Sequence, residues 1–350
     1  MPEVLDVFNS DAFAAATLTA SVNMVPNRYG RINQLGLFTP EPIGTTSVII
    51  EIQNGVLNLL PTRQRGGTPS LGTPTAGKLK SFVVPHIPHD DSVLATDVQN
   101  RMAAAGAAAL DSVIGMVNRK LITMRNKHAI TLENLRAGAL RGIITDYDGT
   151  VLVNLFTEFG VTQKEVDFTF ATATADLGAV CRSISGHIED NLAGDTMTSV
   201  YALCSPEFFA SFISHKSVKD AYAFFDTSQN PARDDVRRGF TFQGVTFEEY
   251  RGSATKLNED KTTTVQRFVP ANEARFFPLG TTDTFTNYYA PPDFVDLVNQ
   301  APTLDTADAE VFVAPLERMK FGKGMDIHTE SNPLPMVKRP ALLVRGYSSN

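Results

Sequence analysis

Two stretches of this sequence carry residue types that could do chemistry. The first is "GIITDYDGTV", an apolar run that ends in Asp146, Tyr147, Asp148, Gly149 and Thr150. Two carboxylates at this spacing can share the work of phosphoryl transfer. The first attacks as nucleophile, the second acts as general acid, and both help to hold Mg²⁺. The second stretch is "HIPHDD", where His86, His89, Asp90 and Asp91 offer nitrogen and oxygen ligands to a metal. Other candidates are thinner. His128, His187, His215 and His328 are scattered, and Ser205 lacks the Gly-x-Ser-x-Gly elbow. Neither a P-loop nor a Gly-x-Gly-x-x-Gly fingerprint occurs.

Each stretch also has a plain structural reading, and that reading is better supported. Asp146, Asp148, Gly149 and Thr150 match the opening motif of a haloacid-dehalogenase-type phosphatase letter for letter. There, however, the motif opens its domain, and here it stands well inside the chain. No later apolar strand ends in the paired acids that would complete the metal site, since Asp234 and Asp235 lie in the polar "PARDDVRRG". Asp-Gly is a strong hairpin signal, so the expectation is a turn at Asp148-Gly149 between two strands. Pro85 and Pro88 make "HIPHDD" extended chain, read as a loop leading to a helix cap. No catalytic, cofactor-binding or metal residue is assigned and no enzyme is expected. A Mg²⁺-dependent phosphatase using Asp146 and Asp148 is the alternative.

The composition narrows the classes further. Of the 350 residues, 43% are hydrophobic and 20% charged, which is ordinary globular usage. The net charge of −7 argues against a general nucleic-acid binder, which would be basic. Cys181 and Cys204 are the only cysteines, too few for a disulfide framework or a zinc site. No apolar run is long enough to span a bilayer, and the start lacks the pattern of a signal peptide.

The elements that must position these residues follow from periodicity. A short helix is expected over residues 6–19, then extended chain punctuated by Pro and Gly to residue 45. Strands are expected over 46–60 and 81–88. Thr96 to Gln99 form a capping box, and Leu110, Ile114, Val117, Leu121 and Met124 recur at helical spacing. That helix is expected to run to about Lys127, with Ile114 and Val117 facing a sheet, and a shorter one to span 131–141. A helix over 176–192 ends at Gly194, and Ser205 caps one or two more. The C-terminal third reads as strands. The order of elements is α+β, with no regular βαβ series.

Between the first two strands lies "PTRQRGGTPSLGTPTAGKLK", with four Gly, three Pro and four basic residues. Long loops of this kind are functional or disordered. With no site for a lid to cover, the expectation is an arm that reaches out of the molecule. Arg63, Arg65, Lys78, Lys80, Phe82 and Val84 are the candidate contact residues, with the apolar ones needing a surface from a neighbouring subunit.

The wording of the chain resembles the major capsid proteins of tailed phages, of the lambda type (phage major capsid protein E). The likeness rests on "TPTAGKLKSFVVPHIPHDDSVLATDVQ", "LRGIITDYDGTVLVNLFTEFG", "VYALCSPEFFASFISHKSVKDAY", "YYAPPDFVDLVN" and "SNPLPMVKRPALLVR", and spans nearly the whole chain. It implies the Hong Kong 97-type fold: an arm (1–45), an extended loop (46–95), a peripheral domain with the spine helix (96–171 and 301–350) and an axial domain (172–300). It implies a shell of pentamers and hexamers around double-stranded DNA, without sequence-specific binding and without a membrane. Scaffold, portal and decoration proteins are the implied partners, and the host cytoplasm the place of assembly. It implies no cofactor. A compartment shell of the encapsulin type is a second alternative on the same fold.

Overall fold

The computed structural model describes residues 17–19, 22, 30–52, 78–97, 109–223, 237–257, 262–294 and 310–349. Most of the helix expected over 6–19 therefore lies outside the described residues, although 17–19 are helical. The described residues fall into two units. One draws on Met1–Val48, Val83–Arg136 and Thr286–Met336, the other on Ile49–Phe82, Ala137–Phe285 and Val337–Asn350.

The first unit is organised by the long helix, Ala109–Arg141. It is one helix and not two, about 50 Å long at 1.5 Å per residue. The break expected near residue 128 is absent because no Gly or Pro stands there, and the buried face simply continues through Ala129, Leu132 and Leu135. Val117, Leu121 and Met124 pack against Val93, Val313 and Ile327 of a sheet. Each such side chain contributes roughly 1.5–3 kcal/mol on burial. Val117 therefore faces the sheet as expected, with Ile114 half-buried beside it.

That sheet is antiparallel. Gly324–Ser331 is its centre, flanked on one side by Phe312–Val313 and Glu317–Arg318 and on the other by Ile87–Leu94. "HIPHDD" is thus a strand and not a loop. Its pairing partner lies over 200 residues away, out of reach of a local reading, and Pro88 is tolerated because the strand is at an edge.

The stretch expected to be extended holds a short helix, Arg31–Gln34, before the strand Thr39–Pro42. Glu133 explains it. This buried carboxylate on the long helix accepts the N–H groups of Ile32 (2.8 Å) and Asn33 (3.3 Å), which the short helix itself leaves free. Gly30, at φ 89°, lets the chain pass so close: a Cβ there would lie 2.0 Å from the Glu133 carboxyl carbon. Thr39–Pro42 runs parallel to Phe285–Tyr289, which also pairs with Pro333–Val337.

The second unit is a six-stranded sheet in the order Lys164–Asp167, Val344–Tyr347, Glu273–Leu279, Ser199–Cys204, Val245–Glu249, Arg238–Phe242. The helices Leu177–Asp190 and Pro206–Ser214 share a core with it. Leu177, Cys181, Ile184 and Ile188 are buried at three- and four-residue spacing along the first of these helices. Phe212 stacks on Phe247 at 4.1 Å, and Phe168 on Phe276 at 5.8 Å. Both helices are capped by side chains, the second by Ser205 as expected. The Asp176 side chain accepts the Ala179 N–H, and the Ser205 hydroxyl accepts that of Phe208. A short helix, Leu155–Phe159, follows the strand Val151–Asn154, with the Asn154 side chain accepting the Thr157 N–H at its start.

Candidate interaction surfaces

Asp146 and Asp148 sit in the turn of a two-stranded hairpin, Ile143–Thr145 with Val151–Asn154. Asp146 accepts the Tyr147 N–H at 2.7 Å. Asp148 accepts both the N–H and the hydroxyl of Thr150 at 2.8 Å. Those Thr150 bonds hold the Asp148 carboxyl below its usual range. That is the wrong direction for a general acid, which needs its proton at neutral pH. Among the described residues no group of three or more His, Cys, Asp or Glu could hold a metal ion.

The strand Ile87–Leu94 splits the second candidate cluster between its two faces. Asp91 meets Lys120 (2.9 Å) and His89 meets Lys127 (3.1 Å), both from the long helix. Asp90 points the other way, to His328. His128, also on the long helix, bonds the hydroxyls of Thr329 (2.9 Å) and Ser331 (2.8 Å). Burial, first, and then the nearby cations and histidines lower its pKa to about 4, so it is neutral at physiological pH. These four residues position strands; they do not converge on one ligand. Cys181 and Cys204 are buried, which pushes the Cys181 thiol up to about 12 and Cys204 well above its ordinary value. Neither is a nucleophile.

The extended ribbon is the more informative surface. Its strands, Ser47–Ile52 and Lys78–Val83, pair with each other. Arg63 and Arg65 lie outside the described residues, as does the side chain of Lys78. Lys80 already has an acid in its own chain, Glu158 at 2.7 Å. Phe82 is buried and stacks on Phe159 at 6.2 Å, and Val84 is buried too. Strand alternation puts Lys80, Phe82 and Val84 on the covered side, together with Val48 and Ile50. The opposite side carries Leu79 and Val83, 71% and 76% exposed, and Ile49, 67% exposed. Phe82 and Val84, two of the candidate contact residues, lie on the face that this subunit covers by itself. The residues left open are their neighbours one position away.

One hub was missed altogether. Asp195 accepts hydrogen bonds from Thr196, Thr282, Thr284 and Arg339, the last at 2.6 Å. Its donors lie up to 144 residues away, so nothing local announces it.

The family model for phage major capsid protein E matches residues 14–348. The major capsid protein of Pseudomonas phage KPP10 is 30% identical over 359 residues, covering 96% of this chain and 97% of that protein. The major capsid protein of Salmonella phage Felix O1 is 26% identical, covering 95% of each. Among solved structures, a prophage protein of E. coli CFT073 described as a capsid protein superposes with a TM-score of 0.52 at 13% identity, over 96% of this chain and 99% of that one. A phage-related protein from Bordetella bronchiseptica gives 0.50 at 9% identity, over 95% and 97%. The fold is the Hong Kong 97-type α+β capsid fold. The two carboxylates that could have been a phosphatase are turn residues, and the chain belongs to the phage major capsid protein E family: it is a structural subunit of a phage capsid shell, not an enzyme.

Proposed function

We propose that this subunit builds the icosahedral head of a tailed double-stranded DNA phage, as pentamers and hexamers assembled in the host cytoplasm. On this reading residues 1–45 are the arm and 46–95 the extended loop. Residues 96–171 and 301–350 form the peripheral domain, and 172–300 the axial domain. A scaffold, a portal and a decoration protein complete the head. The net charge of −7 suits a wall that must not grip the packed genome.

The observation that carries the reading is the ribbon. A two-stranded ribbon is at best marginally stable alone in water. This one is covered on one face by its own chain and presents Ile49, Leu79 and Val83 on the other. Such a face is what a neighbouring subunit would cover, with Arg63, Arg65 and Lys78 meeting acids across the boundary. The test is Leu79→Lys with Val83→Lys. Both residues are exposed in the subunit, so its thermal unfolding should stay within about 1 kcal/mol of the parent. Shells should be lost by negative-stain microscopy. Full-sized shells at normal yield would remove the ribbon face from assembly.

A further inference from the structure

The most exposed large apolar side chain among the described residues is Phe321, at 85%. It stands in the hairpin connection between Glu317–Arg318 and Gly324–Ser331. Its backbone is left-handed, φ 66° and ψ 16°, a conformation that costs a bulky residue on the order of 1–3 kcal/mol. The fold therefore holds an aromatic ring out in solvent at a strained position where Gly or Asn would sit at ease. Around it, residues 318–323 supply Arg318, Lys320 and Lys323 and no acid, with the Lys320 ammonium 5.7 Å from the ring centre. The acids Glu317 and Asp326 face each other at the base of the hairpin.

A second hairpin tip has the complementary character. Residues 146–152 are exposed without interruption. They carry Asp146 and Asp148 together with Tyr147, Val151 and Leu152, which are 64%, 54% and 40% exposed. The Tyr147 ring already receives a cation, the Lys256 ammonium at 5.7 Å.

We propose that the Phe321 knuckle of one copy seats on the Asp146–Leu152 tip of another copy, Phe321 against Tyr147 and Leu152 and its lysines beside Asp146. Each patch alone is too small and too charged to bury stably, but together they match apolar to apolar and cation to acid. Because the two patches differ, the contact is heterologous, the kind that propagates around a ring or shell. The inference rests on the shell reading and assigns a role to the Asp-x-Asp turn that no chemistry claims.

The test uses the full chain under conditions in which the unsubstituted chain forms shells, scored by gel filtration and negative-stain microscopy. Phe321→Asn relieves the strained backbone, so the subunit should melt at the same temperature or higher, while shell yield should fall at least tenfold. Lys320→Glu and Lys323→Glu should each lower yield, as should Asp146→Lys. At least one lysine reversal combined with Asp146→Lys should restore it. Normal shells from Phe321→Asn, or no recovery in either combination, would overturn the proposal while leaving the shell function of the chain untouched.

Discussion

His328 and Asp90 face each other directly across the antiparallel strands Gly324–Ser331 and Ile87–Leu94, and the imidazole of His328 lies between the carboxylates of Asp90 and Glu330. Both ring nitrogens therefore meet acceptors. Carboxylates cannot donate, so only the imidazolium satisfies both contacts. On the opposite face of the same strand, His128 sits between two hydroxyls, which suit the neutral ring. One strand is thus fastened by a charged histidine on one side and an uncharged one on the other.

The pH dependence of stability should have two limbs. Burial opposes charge on His328, but its bonds to Glu330 and Asp90 prevail and raise its pKa above 6.5. His86, His89 and His128 are the other titratable neighbours of this group. A raised folded value means stability fully present below pH 6.5 and lost as pH rises through the folded pKa. For His128 the sign is opposite. Its folded value of about 4 means stability present above pH 6.5 and lost as pH falls toward 4, about 3 kcal/mol in all. Melting temperature measured across pH 4–8 should flatten on the alkaline side in His328→Gln and on the acid side in His128→Gln. Unchanged profiles would refute the assignments.

Gly30→Ala should be strongly destabilising. It places a methyl group on the Glu133 carboxylate and forces Ala to φ 89°. The cost should reach a few kcal/mol. Glu133→Gln should cost less, about 1.5–3 kcal/mol, since it weakens charge-assisted bonds to two backbone N–H groups without a clash. Chemical denaturation of the two variants gives the ranking directly.

Asp195→Ala should remove several partners at once. Its side chain is 2% exposed, and losing it strands Arg339 and two threonine hydroxyls, at about 3 kcal/mol. Desolvation works against the charge on Asp195, but the bonds from Thr282, Thr196 and Thr284 outweigh it, and its pKa lies below the ordinary 3.8. Its contribution is therefore present above pH 3.8 and survives mild acid. Asp195→Asn, which can keep part of the network, should fall between parent and Ala in thermal unfolding.

The sequence made visible what is encoded within a few neighbouring residues. The Asp148-Gly149 turn, the cap at Ser205 and the existence of the helix from Leu177 all came from local spacing. What stayed hidden depends on distant partners. The strand Ile87–Leu94 contains proline and charge, and is a strand only because residues 324–331 pair with it. The helix at Arg31–Gln34 exists beside a carboxylate a hundred residues on. The ribbon Ser253–Leu257 with Thr263–Arg267 is polar and mostly exposed, so no alternation marks it. For the interaction surface, period two identified a ribbon with a wet and a covered side, but not which side was which.

The strand Val344–Tyr347 lies inside the six-stranded sheet, between Glu273–Leu279 and Lys164–Asp167. Among the described residues, Lys164–Asp167 joins the sheet only through it. A nascent chain stalled before residue 344 leaves that strand without its neighbour, with an interior gap where Val344 and Leu342 belong in the core. The sheet closes only after residue 347 has left the ribosome tunnel. Chains truncated before residue 344 should therefore fail to complete the six-stranded sheet.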